Sequence, residues 1–227
     1  YLCAAISRDF ARPITPADVV WSYSGVRPLY DDGASEAKAA TRDYVFEIDA
    51  TDDGTPLLSI FGGKITTYRR LAEAALDRIA AHAEPEFARR LMTSKGWTAR
   101  ANLPGGDFAV TGKSALTADL QRDFPFLEAT QARRLVDAYG TRARRLLGAA
   151  RSRTDLGVTV GASLSEAEVR YLIAEEWART ADDIVWRRSK LGLRMTAPEV
   201  ATLDAWIKDS GVLRSAAEPG AMPQRAP

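Results

Sequence analysis

Three short runs of β-branched and aromatic residues, at 19–23, 43–48 and 57–61, stand between polar turn signals near the start of the chain. Runs of this length and composition predict strands, and Asp31-Asp32-Gly33 and Asp52-Asp53-Gly54 carry the chemistry of the connecting turns. At Gly62-Gly63 the period changes. Ile65, Tyr68, Leu71, Ala72, Ala75, Leu76 and Ile79 follow a helical repeat, so a strand runs through a glycine turn into a helix. Pro85 then interrupts, and residues 98–108, with Asn102-Leu103-Pro104-Gly105-Gly106-Asp107, read as an irregular linker. Beyond it the pattern predicts helices at about 114–123, 127–139, 142–149, 165–176, 181–191 and 197–209. Ser165 followed by Glu168 has the spacing of a capping box, and Pro198 lies in a first turn, where its missing N–H costs little.

The resulting fold class is an α/β (α+β) portion over residues 1–97 and an all-helical domain over 114–212. A linker over 98–113 joins them, and a loosely ordered tail, rich in Ala, Pro and Gly, follows over 213–227. Composition fits this picture: 46% apolar and 27% charged residues describe an ordinary globular chain of 227 residues, large enough for two modest cores. Lys plus Arg (31) nearly balance Asp plus Glu (30), which disfavours nucleic acid as a partner. With Cys3 the only cysteine and His82 the only histidine, a disulfide framework and a Cys/His zinc site are both excluded. No apolar run approaches the ~20 residues of a membrane-spanning helix. The chain opens Tyr-Leu-Cys-Ala-Ala, without Met or signal features, and is read as a fragment of a cytoplasmic protein.

Two stretches could carry chemistry. In Phe61-Gly62-Gly63-Lys64-Ile65-Thr66-Thr67-Tyr68-Arg69, glycines at a strand end let another group approach the backbone. The N–H groups of the following helix start then face that group with the positive end of the helix dipole. An electron-rich ligand fits there, although Gly-Gly-Lys alone reads first as a tight turn with a solvated lysine. In Ser24-Gly25-Val26-Arg27-Pro28-Leu29, proline restricts Arg27 to extended backbone, which helps hold a guanidinium for bidentate contact with phosphate or carboxylate. Taken singly, Arg27 and Arg42 also read as surface or ion-pair groups.

Together the stretches are specific. Val19-Val20-Trp21-Ser22-Tyr23-Ser24-Gly25-Val26-Arg27-Pro28-Leu29, Thr41-Arg42-Asp43-Tyr44 and Phe61-Gly62-Gly63-Lys64-Ile65-Thr66-Thr67-Tyr68-Arg69-Arg70-Leu71-Ala72-Glu73 resemble, in order and spacing, the flavin-dependent (aerobic, quinone-linked) glycerol-3-phosphate dehydrogenases. Leu103-Pro104-Gly105-Gly106-Asp107-Phe108 resembles that family's interdomain linker. Glu168-Val169-Arg170-Tyr171, followed by Thr180-Ala181-Asp182-Asp183-Ile184-Val185-Trp186-Arg187-Arg188, resembles its C-terminal helical cap. The resemblance covers about residues 1–210.

It implies that residues 1–97 are the C-terminal part of an FAD-binding and substrate domain, and that the complete enzyme oxidises glycerol 3-phosphate to dihydroxyacetone phosphate. Hydride would pass to FAD and electrons on to a quinone. Arg27 and Lys64 would be catalytic, Arg27, Arg42 and Lys64 would bind substrate, and Gly62, Gly63, Lys64, Ile65 and Thr66 would meet the flavin. Paired guanidinium groups suit a dianionic phosphate better than a neutral polyol. The family's glycine-rich pyrophosphate fingerprint does not occur in these residues, so this stretch by itself is expected neither to hold FAD tightly nor to turn over. His82 reads as an exposed bystander.

Between Arg133 and Arg153 stand seven arginines and one acid, Asp137. This run reads as a solvated face paired with Glu166, Glu168, Glu175, Glu176, Asp182 and Asp183; the alternative is peripheral contact with anionic lipid on the cytoplasmic membrane face. Trp177, Trp186 and Trp206 have apolar neighbours at helical spacing and read as core, and Arg187-Arg188 as an ion-pair anchor. Two rival functions stay open: a glycerol-3-phosphate oxidase using oxygen, and a helical domain serving only as a dimerisation or docking module.

Overall fold

The computed structural model describes residues 1–26, 30, 31, 33, 41, 43–50, 55–93 and 96–215. The chain forms two compact units: Ser22–Asn102 is one, and Tyr1–Trp21 together with Leu103–Pro227 is the other. A short helix, α1 (Leu2–Ile6), opens the chain.

The Ser22–Asn102 unit is built on an antiparallel hairpin of β1 (Tyr44–Ala50) and β2 (Pro56–Gly62), with Tyr44 opposite Gly62 and Ala50 opposite Pro56. The turn expected at Asp52-Asp53-Gly54 lies outside the described residues. β2 leads through Gly63 and Lys64 into a 3-10 turn (Ile65–Thr67) and then α2 (Tyr68–Ala80), which is the strand–glycine–helix transition read from the change of period. Its amphipathic face buries Ala75, the one buried hydrophobic side chain among the described residues of this unit. Thr98 donates to Glu73 and accepts from Arg69 at 3.2 Å, which ties the end of the unit to α2.

Two expectations need correction here. Residues 19–23 form no strand: they have no regular secondary structure, and Val20 and Tyr23 are exposed. Local β propensity makes a strand only where a partner satisfies the backbone groups, and no ladder includes these residues. Pro85 does not merely interrupt but begins α3 (Pro85–Thr93), its fixed φ suiting the first helical position.

The second unit is mostly helical: α4 (Lys113–Asp123), α5 (Ala129–Tyr139) and α6 (Ala143–Leu147) follow residues 103–108. A two-residue hairpin of β3 (Thr159–Gly161) and β4 (Leu164–Ser165) precedes α7 (Glu166–Glu176), and α8 (Ala197–Asp209) and α9 (Val212–Ser215) complete the unit. Leu120, Leu135, Leu164, Leu172, Ile184 and Leu203 lie at the centre of one continuous core. Truncating any of them to alanine would cost about 2–5 kcal/mol. No helix among the described residues is long and apolar enough to cross a membrane.

This unit departs from an all-helical expectation at β3–β4. Ala162 and Ser163, at φ 44° and 66°, make its turn in left-handed backbone; such turns favour Asn and Gly, so Gly-Ala-Ser-Leu carried no signal. A helix expected over 181–191 becomes a π-helical turn, Asp183–Arg188, followed by Lys190 in left-handed backbone and a 3-10 turn, Leu191–Leu193. Thr196 and Glu199 close a full capping box ahead of α8. Residues 103–108 are irregular but fixed: the Thr141 N–H donates to the Gly105 carbonyl at 3.1 Å, and a Cβ on Gly140 would fall 1.9 Å from that oxygen. From residue 216 on, the expected tail lies outside the described residues.

Candidate functional site

Of the residues expected to form the site, the structure describes the segment from Gly62 to Thr66, while Arg27 and Arg42 lie outside the described residues. Gly62 and Gly63 have φ of 70° and 91°, which side chains rarely tolerate, so this turn requires glycine at both positions. At Gly63 the need is also internal. A Cβ there would stand 3.0 Å from the Leu71 Cδ1 and 3.4 Å from the Tyr44 Cβ, so the close approach is to the unit's own residues.

Lys64 leaves this turn in extended backbone, φ −83° and ψ 144°, as the N-cap of the 3-10 turn. Its carbonyl accepts both the Thr67 N–H at 2.9 Å and the Thr67 hydroxyl at 2.8 Å. Lys64 and Thr66 are exposed, and Ile65 is 87% exposed. An exposed cation therefore stands at a helix start whose leading N–H groups have no intrahelical acceptor. That arrangement suits an electron-rich ligand, and at the level of backbone geometry and charge it is compatible with a flavin ring. His82 is exposed at the far end of α2.

The helical unit holds a polar centre in which one expected pairing of the arginine run, Arg134 with Glu168, is buried and not on a solvated face. Glu168 is 1% exposed. Its carboxylate accepts from the Arg134 Nη1 at 2.7 Å, the Arg134 Nη2 at 2.6 Å and the Tyr139 hydroxyl at 2.7 Å. Arg134 also donates to the Ser163 hydroxyl at 3.1 Å and the Ser163 carbonyl at 3.2 Å, so it braces the β3–β4 turn. Burial alone would lower the guanidinium pKa, but the hydrogen bonds and charge of Glu168 raise it overall. Burial, followed by the neighbouring carboxylate, drives the Tyr139 hydroxyl far up from its ordinary range. The capping-box expectation is half met: the Ser165 hydroxyl accepts the Glu168 N–H at 3.3 Å, while the Glu168 carboxylate is taken by Arg134 and Tyr139.

The arginine run is largely satisfied within the unit. Arg142 and Arg145 share Glu175 at 2.9 and 2.6 Å, Arg144 meets Asp123 at 2.6 Å, and Arg153 meets Glu128 at 3.1 Å. Arg187 pairs with Asp183 at 2.7 Å. The tryptophans divide. Trp206 is half-buried under the Arg170 guanidinium, 5.2 Å away, and Trp186 is half-buried in a stack with Trp21. Trp177, expected in the core, is 78% exposed. It ends α7 in left-handed backbone, φ 58°, and that reversal turns it off the helix's apolar face.

Residues 96–208 match the model of the C-terminal domain of alpha-glycerophosphate oxidase. The chain is 41% identical to a glycerol-3-phosphate dehydrogenase of Pseudomonas aeruginosa over 208 residues, 92% of this chain and 39% of that protein. It is 39% identical to the aerobic glycerol-3-phosphate dehydrogenase of Escherichia coli (strain K12) over 208 residues, 91% of this chain and 40% of the relative. Over more than nine-tenths of its length the chain matches the C-terminal portion of the glycerol-3-phosphate dehydrogenase family. Another relative, at 40% identity over 213 residues, is the D-erythritol 1-phosphate dehydrogenase of Brucella abortus (strain 2308); 94% of this chain and 41% of that protein are covered. The chain thus spans about two-fifths of the length of these curated relatives.

Proposed function

We propose that this chain is part of an FAD-dependent oxidoreductase that oxidises a phosphorylated polyol, with glycerol 3-phosphate going to dihydroxyacetone phosphate, and passes electrons to a quinone. The observation that carries the reading is the Gly62-Gly63-Lys64 turn: two left-handed glycines deliver an exposed lysine to a helix start, within a chain that matches dehydrogenases along more than nine-tenths of its length. Arg27 and Arg42 bind the phosphate dianion, which bidentate guanidinium groups recognise well. Lys64 lies beside substrate and flavin, and the backbone from Gly62 to Thr66 faces the ring.

When bound, the flavin supplies a hydride acceptor that becomes electron-rich as the substrate is oxidised. The N–H groups at the start of α2 and the Lys64 ammonium favour that charge as it develops, with no reorganisation needed. The Ser22–Asn102 unit has a two-stranded hairpin and one buried hydrophobic side chain among its described residues. Such a hairpin is marginal by itself, which supports reading the Ser22–Asn102 unit as part of a larger FAD-binding and substrate domain in the complete protein. The pyrophosphate-binding part then lies in that larger domain, and residues 114–212 form its helical cap. On this reading the complete protein works in the cytoplasm and meets its quinone at the cytoplasmic membrane face.

The substrate has a second reading, because the D-erythritol 1-phosphate dehydrogenase is as similar as the glycerol 3-phosphate enzymes. Both substrates present a secondary alcohol near a phosphate, and Arg27 and Arg42 suit either. Steady-state oxidation of both by the complete protein, with a quinone analogue or with oxygen as acceptor, tests the proposal. Turnover of glycerol 3-phosphate with the quinone analogue is expected. Preference for the erythritol ester would replace the substrate, preference for oxygen would replace the acceptor, and no turnover of either ester would reject the function.

A further inference from the structure

Within the helical unit, residues 103–108 and the ends of α5 and α7 line an open cavity of about 400 Å³, a size that accommodates a small organic molecule. Its walls are preset. The Gly105 carbonyl accepts the Thr141 N–H at 3.1 Å, and the Gly106 N–H donates to the Leu103 carbonyl at 2.8 Å. Gly105 holds φ 87°, and a Cβ on it would run into the Tyr139 carbonyl. Phe108, Tyr139 and Tyr171 bring aromatic rings to the lining, the two tyrosines in edge contact with centroids 5.4 Å apart.

Most of the polar lining is already engaged. Arg142 meets Glu175 at 2.9 Å, Asp137 meets Lys113 at 2.6 Å, and the Tyr139 hydroxyl donates to Glu168 at 2.7 Å. Two side chains are left over. Tyr171 is 7% exposed, yet its hydroxyl has no hydrogen-bond partner among the described residues. Burial raises the pKa of that phenol, with Arg142 opposing and Glu176 adding to the rise, so it stays a donor at neutral pH. Glu176 is half-buried and its carboxylate has neither ion pair nor hydrogen bond among the described residues. It is the last residue of α7, where the helix dipole disfavours a negative charge. Its neighbour Glu175 is offset by Arg142 and by Arg145, at 2.9 and 2.6 Å; Glu176 has no such offset. A carboxylate at the unfavourable helix end and a buried, unpaired phenol both cost stability, and one ligand would satisfy both if it brought a positive donor and an acceptor.

We infer that this cavity is a binding site for a small organic cation: the Glu176 carboxylate accepts from an ammonium or guanidinium group, and the Tyr171 hydroxyl donates to an oxygen beside that group. The rings of Phe108, Tyr139 and Tyr171 suit the same charge through cation–π attraction, and the Tyr171 face already carries the Arg142 guanidinium 5.9 Å from its centre. The site lies wholly within the helical unit and depends neither on the flavin nor on the proposed substrate.

The test uses the complete protein and saturation-transfer NMR, with ethanolamine as the cation, ethylene glycol as its neutral counterpart and glycolate as its anionic one. Ethanolamine is expected to bind saturably in the millimolar range, and the other two at least ~10-fold more weakly. Glu176→Gln should weaken ethanolamine binding about tenfold or more and Tyr171→Phe about three- to tenfold, as loss of a charged and of a neutral hydrogen bond implies. Glu128→Gln, which removes a surface carboxylate outside the lining, should leave it within about twofold. Neither cavity variant should lower Tm, since Glu176 opposes the helix dipole and the Tyr171 hydroxyl has no partner to lose. No saturable ethanolamine binding, binding unchanged in both Glu176→Gln and Tyr171→Phe, an equal loss in Glu128→Gln, or a marked fall in Tm in both cavity variants overturns the inference.

Discussion

Glu168→Leu is the substitution from which the most follows, because it strips a buried cation of its counter-ion with little change in volume. Three hydrogen bonds to the carboxylate vanish: two from Arg134, at 2.7 and 2.6 Å, and one from Tyr139, at 2.7 Å. At ~1.5–3 kcal/mol for each bond to a charged group the sum is about 4.5–9 kcal/mol, but Arg134 keeps its two bonds to Ser163 and its side chain is 16% exposed. Loss of one partner from a buried pair costs about 3–5 kcal/mol, and that is the expected destabilisation. For a domain of this size it corresponds to a fall in Tm of roughly 10–20 °C. Urea denaturation of the chain, followed by near-ultraviolet circular dichroism, measures it. Arg134→Met combined with Glu168→Leu removes the stranded charge and should lose less stability than Glu168→Leu alone, giving a coupling of at least ~2 kcal/mol in the double-mutant cycle. A cost under ~1 kcal/mol for Glu168→Leu, or strictly additive effects, would refute the idea that this pair organises α5, α7 and the β3–β4 turn.

The same network predicts an alkaline limit. Because the folded-state pKa of Tyr139 is raised by burial, its contribution is intact below the unfolded value of about 10 and is lost as pH rises above it. Stability should fall from about pH 10 upward, and Tyr139→Phe, less stable at neutral pH, should show a shallower decline in the same titration. At Gly63 alanine meets both a left-handed φ and the Leu71 side chain 3.0 Å away. Gly63→Ala should therefore destabilise the turn by ~1–3 kcal/mol, seen as faster hydrogen exchange of the β1–β2 amides; unchanged exchange would mean the turn adapts freely.

Features coded within a few residues were legible in the sequence. The change of period at Gly62-Gly63 located β2 and α2, and the helical repeats located α4, α5, α7 and α8 to within about two residues. What depended on distant partners was not. Residues 19–23 have strand propensity but no ladder partner, so the propensity went unrealised. Glu168 carried a capping spacing and stood among the acids expected to pair with the arginine run, but nothing nearby showed that Arg134 and Tyr139, two helices earlier, would together claim its carboxylate. Trp177 and Trp186 looked alike by neighbours, yet a left-handed residue exposes one and a π-helical turn seats the other against Trp21. The Gly-Gly-Lys turn was readable because its geometry is local.

The visible spectrum of the complete protein, recorded anaerobically before and after adding glycerol 3-phosphate, tests the central claim most directly. An oxidised-flavin spectrum that bleaches on addition, and no longer does so in Arg27→Ala at the same substrate concentration, is the predicted result. No flavin, a flavin indifferent to the substrate, or full bleaching in Arg27→Ala at the same low concentration would contradict the account.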